Sequence, residues 1–109
     1  MKIQKPSDFK LRIDSVKDIE GHDIDVTSVY LLFVIIDKYG HRYEAISDPN
    51  GTDTKNTEIV EGVLYVAVEN TKLEGCLLMS TGIRQADTTF PDGYCTTFSK
   101  FQPINVEYV

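Results

Sequence analysis

Eight consecutive apolar residues, Val29 to Ile36, run directly into Asp37, Lys38, Tyr39 and Gly40. The run is too short to cross a membrane as a helix. It is dominated by β-branched and aromatic side chains, which are stiff at χ1 and favoured on a pleated surface, so it predicts a strand at the centre of a core. The four residues behind it fit a hairpin in which Gly40 takes the left-handed position and forms a bulge. His41 to Ile46 then returns antiparallel.

The rest of the chain repeats this plan. Phe9, Leu11 and Ile13 alternate with Lys10, Arg12 and Asp14, the period-two pattern of a strand with one buried face. A short strand is expected at Val16 to Glu20, a reversal over Glu20 to Asp23, and a new pairing at Ile24 and Val26. Ser47 to Asn56 holds almost every turn-forming residue and predicts an exposed loop, followed by an edge strand at Thr57 to Val60. Val63 to Glu69 predicts a second strong strand. After a turn over 70–75, Cys76 to Ser80 predicts another, with Gly82 and Ile83 extending it past a bulge. Residues 84–93 are mostly polar and end in the turn Pro91-Asp92-Gly93. Tyr94 to Phe98 and Ile104 to Val109 alternate, with Ile104, Val106 and Tyr108 on one side.

No segment has the apolar stripe of a long helix, and the connections are too short for parallel crossovers. The expected fold is all-β, a two-layer antiparallel β-sandwich of immunoglobulin-like topology with about seven to eight strands. A small open barrel is the alternative. Residues 1–8, which include Pro6, predict a flexible N-terminal arm, and residues 9–109 a single sandwich domain.

The chain has 109 residues, enough to bury one core without a disulfide framework or a metal. Seventeen acidic against eleven basic residues give a net charge of -6, and the basic residues are scattered. Such a surface repels phosphate backbones, so no nucleic-acid partner is expected. The N-terminus has no apolar run behind Lys2 and Lys5, which points to cytoplasmic synthesis without a signal peptide and to no membrane partner. Cys76 and Cys95 are too few for a scaffold or a zinc site. Cys76 opens an apolar run and is expected as a buried, reduced thiol.

Candidates for chemistry are sparse. His22 and His41 each follow a turn glycine, where surface placement is the ordinary outcome. No serine lies in a Gly-x-Ser-x-Gly elbow. The acidic stretches Asp48 to Asp53 and Asp23 to Asp25 suggest calcium, yet neither has the glycine and glutamate spacing of an EF-hand. The expectation is therefore no catalytic residue, no metal and no cofactor.

Val29 to Ile36, Val63 to Val68 and Cys76 to Met79 are apolar at both parities, although a sandwich strand normally alternates. Either loops 47–56 and 84–93 fold over the second face, or another protein subunit covers it. Asp37 shares parity with Leu31, Phe33 and Ile35, and Glu69 with Tyr65. If both charges point outward, Leu31, Phe33, Ile35 and Tyr65 form a partner-facing surface in a homo-oligomer or larger assembly. A carbohydrate-binding or adhesion module, using tyrosines and loops at one end of the sandwich, is the second possibility.

The segment Asp18 to Val26, followed by Val29 to Gly40 and by Tyr43, Glu44 and Ala45, resembles the N-terminal module of phage baseplate upper proteins and related tail-associated domains. Leu73-Glu74-Gly75-Cys76-Leu77, a polar loop and Pro91-Asp92-Gly93 are similar to small prophage proteins of gut bacteria. The resemblance spans roughly residues 9–98 and rests on turn chemistry and alternation. It implies an immunoglobulin-like sandwich, no catalysis, oligomeric packing around a tail and a place in the virion. Because the sequence stops at Val109 without a coiled coil or receptor-binding portion, the expectation is an accessory or connector protein.

Overall fold

The computed structural model describes residues 1–5, 7–69 and 72–109. Eleven strands are found among them: β1 (Lys2–Ile3), β2 (Phe9–Ile13), β3 (Val16–Lys17), β4 (Asp23–Ile24), β5 (Tyr30–Ile36), β6 (Arg42–Ser47), β7 (Thr57–Val60), β8 (Val63–Val68), β9 (Gly75–Ala86), β10 (Tyr94–Phe98) and β11 (Gln102–Tyr108). The all-β class stands. Three two-residue strands raise the number above the expected seven to eight. Pro6 and part of the expected turn over 70–75 lie outside the described residues.

A six-stranded sheet runs β1-β11-β9-β5-β6, and β10 pairs with the far half of β9. A three-stranded sheet runs β2-β8-β7, and β3 with β4 forms a separate hairpin. Every pairing is antiparallel except β1 with β11. The predicted central strand is central: β5 lies between β6 and β9, with Phe33 opposite Ala45 on one side and Thr81 on the other. Gly40 closes the β5–β6 turn at φ 86°, where a side chain would be strained.

One apolar core lies between the two sheets. Leu31, Phe33 and Ile35 of β5 meet Leu64, Val66 and Val68 of β8, with Ile13, Ala45, Leu77, Ile83, Val106 and Tyr108 around them. Each fully buried side chain of this size contributes about 1.5–3 kcal/mol of transfer free energy. Two tyrosine hydroxyls tie the layers at their ends. Tyr43 Oη donates to Ala67 O at 2.9 Å, and Tyr108 Oη donates to Ser7 O at 2.8 Å.

Two local expectations change. The N-terminal arm is docked in part: Lys2 and Ile3 pair with β11, Glu107 N donates to Met1 O at 2.8 Å, and Val109 N donates to Ile3 O at 2.9 Å. Backbone bonds along an otherwise open edge hold it, so little apolar surface is needed. The second change is in β9, which continues through Gly82 to Ala86 with no register shift against β5 or β10. No bulge is required, because the Phe98 ring fills the space that a Cβ on Gly82 would need.

Candidate interaction surface

Side chains alternate across a sheet, so the residues between the core positions of β5 face away from the core. These are Leu32, Val34 and Ile36. In register Leu32 continues into Ile46 on β6, Gly82 on β9 and Phe98 on β10, and Ile36 into Leu78 on β9, while Arg42 and Glu44 of β6 and Ser80 of β9 stand beside Ile36 and Val34 on the same face. None of them belongs to the core cluster. Leu32, Ile36, Ile46 and Leu78 are half-buried, Val34 is buried, and Phe98 is 50% exposed. The three-stranded sheet packs on the opposite side, so this outer face has no second sheet over it.

The structure inverts the assignment of Leu31, Phe33 and Ile35, which are at most 1% exposed inside the core. The cause is Asp37. Its carboxylate, the expected marker of the outward face, points inward. Oδ1 accepts from Tyr39 N at 2.9 Å and His41 N at 3.0 Å; Oδ2 accepts from Glu74 N at 3.0 Å and lies 2.7 Å from His41 Nδ1. Burial alone would push this carboxyl up, but the hydrogen bonds from His41 and from the Glu74, His41 and Tyr39 amides outweigh it and hold it below the usual carboxylate range. An aspartate that opens a tight hairpin can collect the amides of its own turn. That signal was available in Asp37 to His41. Tyr65 does lie away from the core, half-buried on the outer side of the small sheet, between Arg12 and Glu58 in register.

At one end of the outer face, Arg84 sits between two aromatic rings, with its guanidinium carbon 4.4 Å from the Tyr30 centroid and 4.8 Å from that of Tyr94. Arg84 Nε is buried without a hydrogen-bond partner. Tyr30 Oη donates to Asp53 Oδ2 at 2.9 Å; burial first, then this carboxylate, raises the tyrosine above its usual pKa. The 48–53 loop is thereby held at the sheet border. Asp48 is used by its own loop, accepting from Asn50 N at 2.9 Å and Asp53 N at 3.0 Å. Among the described residues, no three His, Cys, Asp or Glu side chains gather as a metal site.

His22 is exposed in the β3–β4 turn, 3.4 Å from Asp18 and 3.5 Å from Glu20. His41 is half-buried by its bond to Asp37. Cys76 corrects an expectation: it is exposed, because its neighbour Leu77 takes the core position. The Glu107 carboxylate, 3.4 Å from Sγ, raises its pKa. Cys95 stands opposite Gln85, nine residues along β9 from Cys76, which separates the thiols by about 30 Å and forbids a bridge within the chain.

Under the β3–β4 hairpin, the core-side surface of β9 and β10 extends beyond the small sheet. It leaves a groove of about 650 Å³, lined by Ser15, Val16, Asp18, Ile19, Thr81, Ile83, Gln85, Thr97, Phe98 and Ser99 among others. No helix is long and apolar enough to cross a membrane among the described residues. No family model, curated protein or solved structure matches the chain.

Proposed function

We propose that the chain is a non-enzymatic structural or interaction module that packs against other protein subunits, in the setting of a phage or prophage tail. The observation that supports this most is the apolar stripe Leu32, Val34, Ile36, Ile46 and Leu78, which lies outside the core. Four strands at their normal spacing offer about 400 Å² of sheet face, roughly half of what one partner contributes to a standard interface. The exposed rings of Tyr94 and Phe98 enlarge it at one border. Two sheets around one core are compatible with the immunoglobulin-like sandwich that the tail resemblance implies, and that finer topology belongs to the proposal.

Co-expression with the products of neighbouring reading frames tests the assignment. Tail-assembly genes beside this one, and a complex abolished by Ile46→Glu or Leu78→Lys, support it. A metabolic gene neighbourhood, with no complex sensitive to either change, overturns it.

The groove under the β3–β4 hairpin favours a second reading, binding of a small polyol or carbohydrate. Ser15, Thr81, Thr97 and Ser99, the Gln85 amide and the Asp18 carboxylate line it beside the apolar Val16 and Ile83. A glycan array in the presence and absence of calcium separates the two: a hit lost in Gln85→Ala supports the groove, and no binding counts against it.

A further inference from the structure

Among the described residues, the edge of β10 differs from most other open edges of the sheets; the uncharged start of β11, beyond its pairing with β1, is interrupted by Pro103. Gly93 O accepts from Asp87 N at 2.9 Å, and Thr81 O accepts from Ser99 N at 2.9 Å. Antiparallel pairs alternate in bonding, so Cys95 and Thr97 complete the ladder to β9. The backbone groups of Tyr94, Thr96 and Phe98 therefore point away from it. Tyr94 N is taken by Asp92 Oδ1 at 3.1 Å. Tyr94 O, both groups of Thr96 and both groups of Phe98 are left facing outward.

Natural sheets protect such edges with charge or with cover. The other bordering strands do so: β1 carries Lys2, β2 Lys10 and Arg12, β3 Lys17, β4 Asp23, β6 Arg42 and Glu44, and β7 Glu58. β10 carries no charge from Tyr94 to Phe98. It is also exposed at four of its five positions.

We infer that this edge pairs with β10 of a second copy, antiparallel about a two-fold axis through Thr96. In that register Thr96 faces Thr96 of the second copy, and each Tyr94 faces a Phe98. The bonds are Thr96 N to Thr96 O in both directions, and Phe98 N to Tyr94 O in both directions, four in all without disturbing the Asp92 turn. The same register sets Asp92 of each chain against Lys100 of the other. Neither residue has an ion pair inside the chain among the described residues. Free amides, an uncharged edge, an aromatic pair and complementary flanking charges thus select the same occupant and the same alignment. The two six-stranded sheets become one continuous sheet. This pairing uses a sheet edge, and it stands or falls separately from packing on the outer face.

Sedimentation equilibrium of the full chain over a wide concentration range tests it. The wild type is expected to dimerise. Thr96→Pro removes only an outward-facing amide and is expected to give a folded monomer. As a check independent of proline, Asp92→Lys and Lys100→Asp each set like charges together and are expected to weaken the dimer about tenfold. Mixing these two variants, or combining them in one chain, restores it. Ile46→Glu, on the outer face, leaves the dimer intact. A wild type that stays monomeric at every concentration overturns the proposal. So does a dimer indifferent to Thr96→Pro and to the charge changes, or one lost with Ile46→Glu alone.

Discussion

A Cβ added to Gly82 would stand 2.5 Å from Cε1 of Phe98, its partner across the β9–β10 ladder. The aromatic ring lies over the glycine, and the absence of a side chain there lets β9 run straight through. Gly82 is not at positive φ, so only the ring opposes a larger residue. Gly82→Ala is expected to swing the half-exposed ring outward and cost about 1 kcal/mol. With Phe98→Ala already in place, the same change becomes neutral or stabilising by about 0.4–1 kcal/mol, since alanine lowers the entropy of the unfolded chain. A double-mutant cycle in urea measures the coupling, and additive effects would show that the ring does not rest on the glycine.

The two faces of β5 predict unequal mutational costs. Phe33→Ala empties a site that is 1% exposed within the core between the sheets, with an expected loss of about 3–5 kcal/mol. Leu32→Ala, one residue away on the outer face, is expected to cost less than half of that. Denaturant midpoints of the two variants suffice. Equal losses would mean that the outer face is covered as fully as the core.

Much of this fold was written in alternation and turn chemistry. Val29 to Ile36, the Asp37 to Gly40 hairpin, the edge strand at Thr57 and the inward set of Ile104, Val106 and Tyr108 all follow from local patterns, and the structure reproduces them. Alternation did not give the direction of the central strand, because both of its parities are apolar; the one local signal was the position of Asp37 at the start of the hairpin, where its carboxylate collects the amides of Tyr39 and His41. Its burial depends on Glu74, a donor 37 residues away. The extension of β9 was hidden for a similar reason. Arg84 and Gln85 look like loop residues until Tyr30 and Tyr94 are seen to flank the guanidinium.

Tyr108 should be set apart in an alkaline titration. Burial first, and then Asp8 and Tyr43, push its hydroxyl up to about 12. The unfolded value is near 10. Because the folded pKa is the higher, the stabilisation from this group is intact below about pH 10 and is lost as pH rises through about 12. Ultraviolet difference spectra are expected to show late ionisation from Tyr30 and, later still, from Tyr108, with that last step missing from Tyr108→Phe. That variant also loses the bond to Ser7 O, at about 1 kcal/mol.

Asp37 governs the acid side. Its folded pKa lies below the usual value, so between the two the unfolded chain binds the extra proton. The stabilisation is therefore complete above about pH 5 and is lost as pH falls below about 4. Asp37→Asn keeps the shape, but its amide nitrogen is itself a donor and must face the donors that the carboxylate now accepts from. Hydrogen bonds to a buried charge are the strong ones, and the expected loss at neutral pH is about 2–4 kcal/mol. Asp18, Asp25 and Asp87 are also lowered, by hydrogen bonds at the surface, and add their own acid dependence. The measurement is accordingly a difference: urea stability of wild type minus that of Asp37→Asn, at several pH values from about 3 to 7. That difference should shrink on acidification as Asp37 takes up its proton, and a constant gap would place the carboxylate outside the hydrogen-bonded hub.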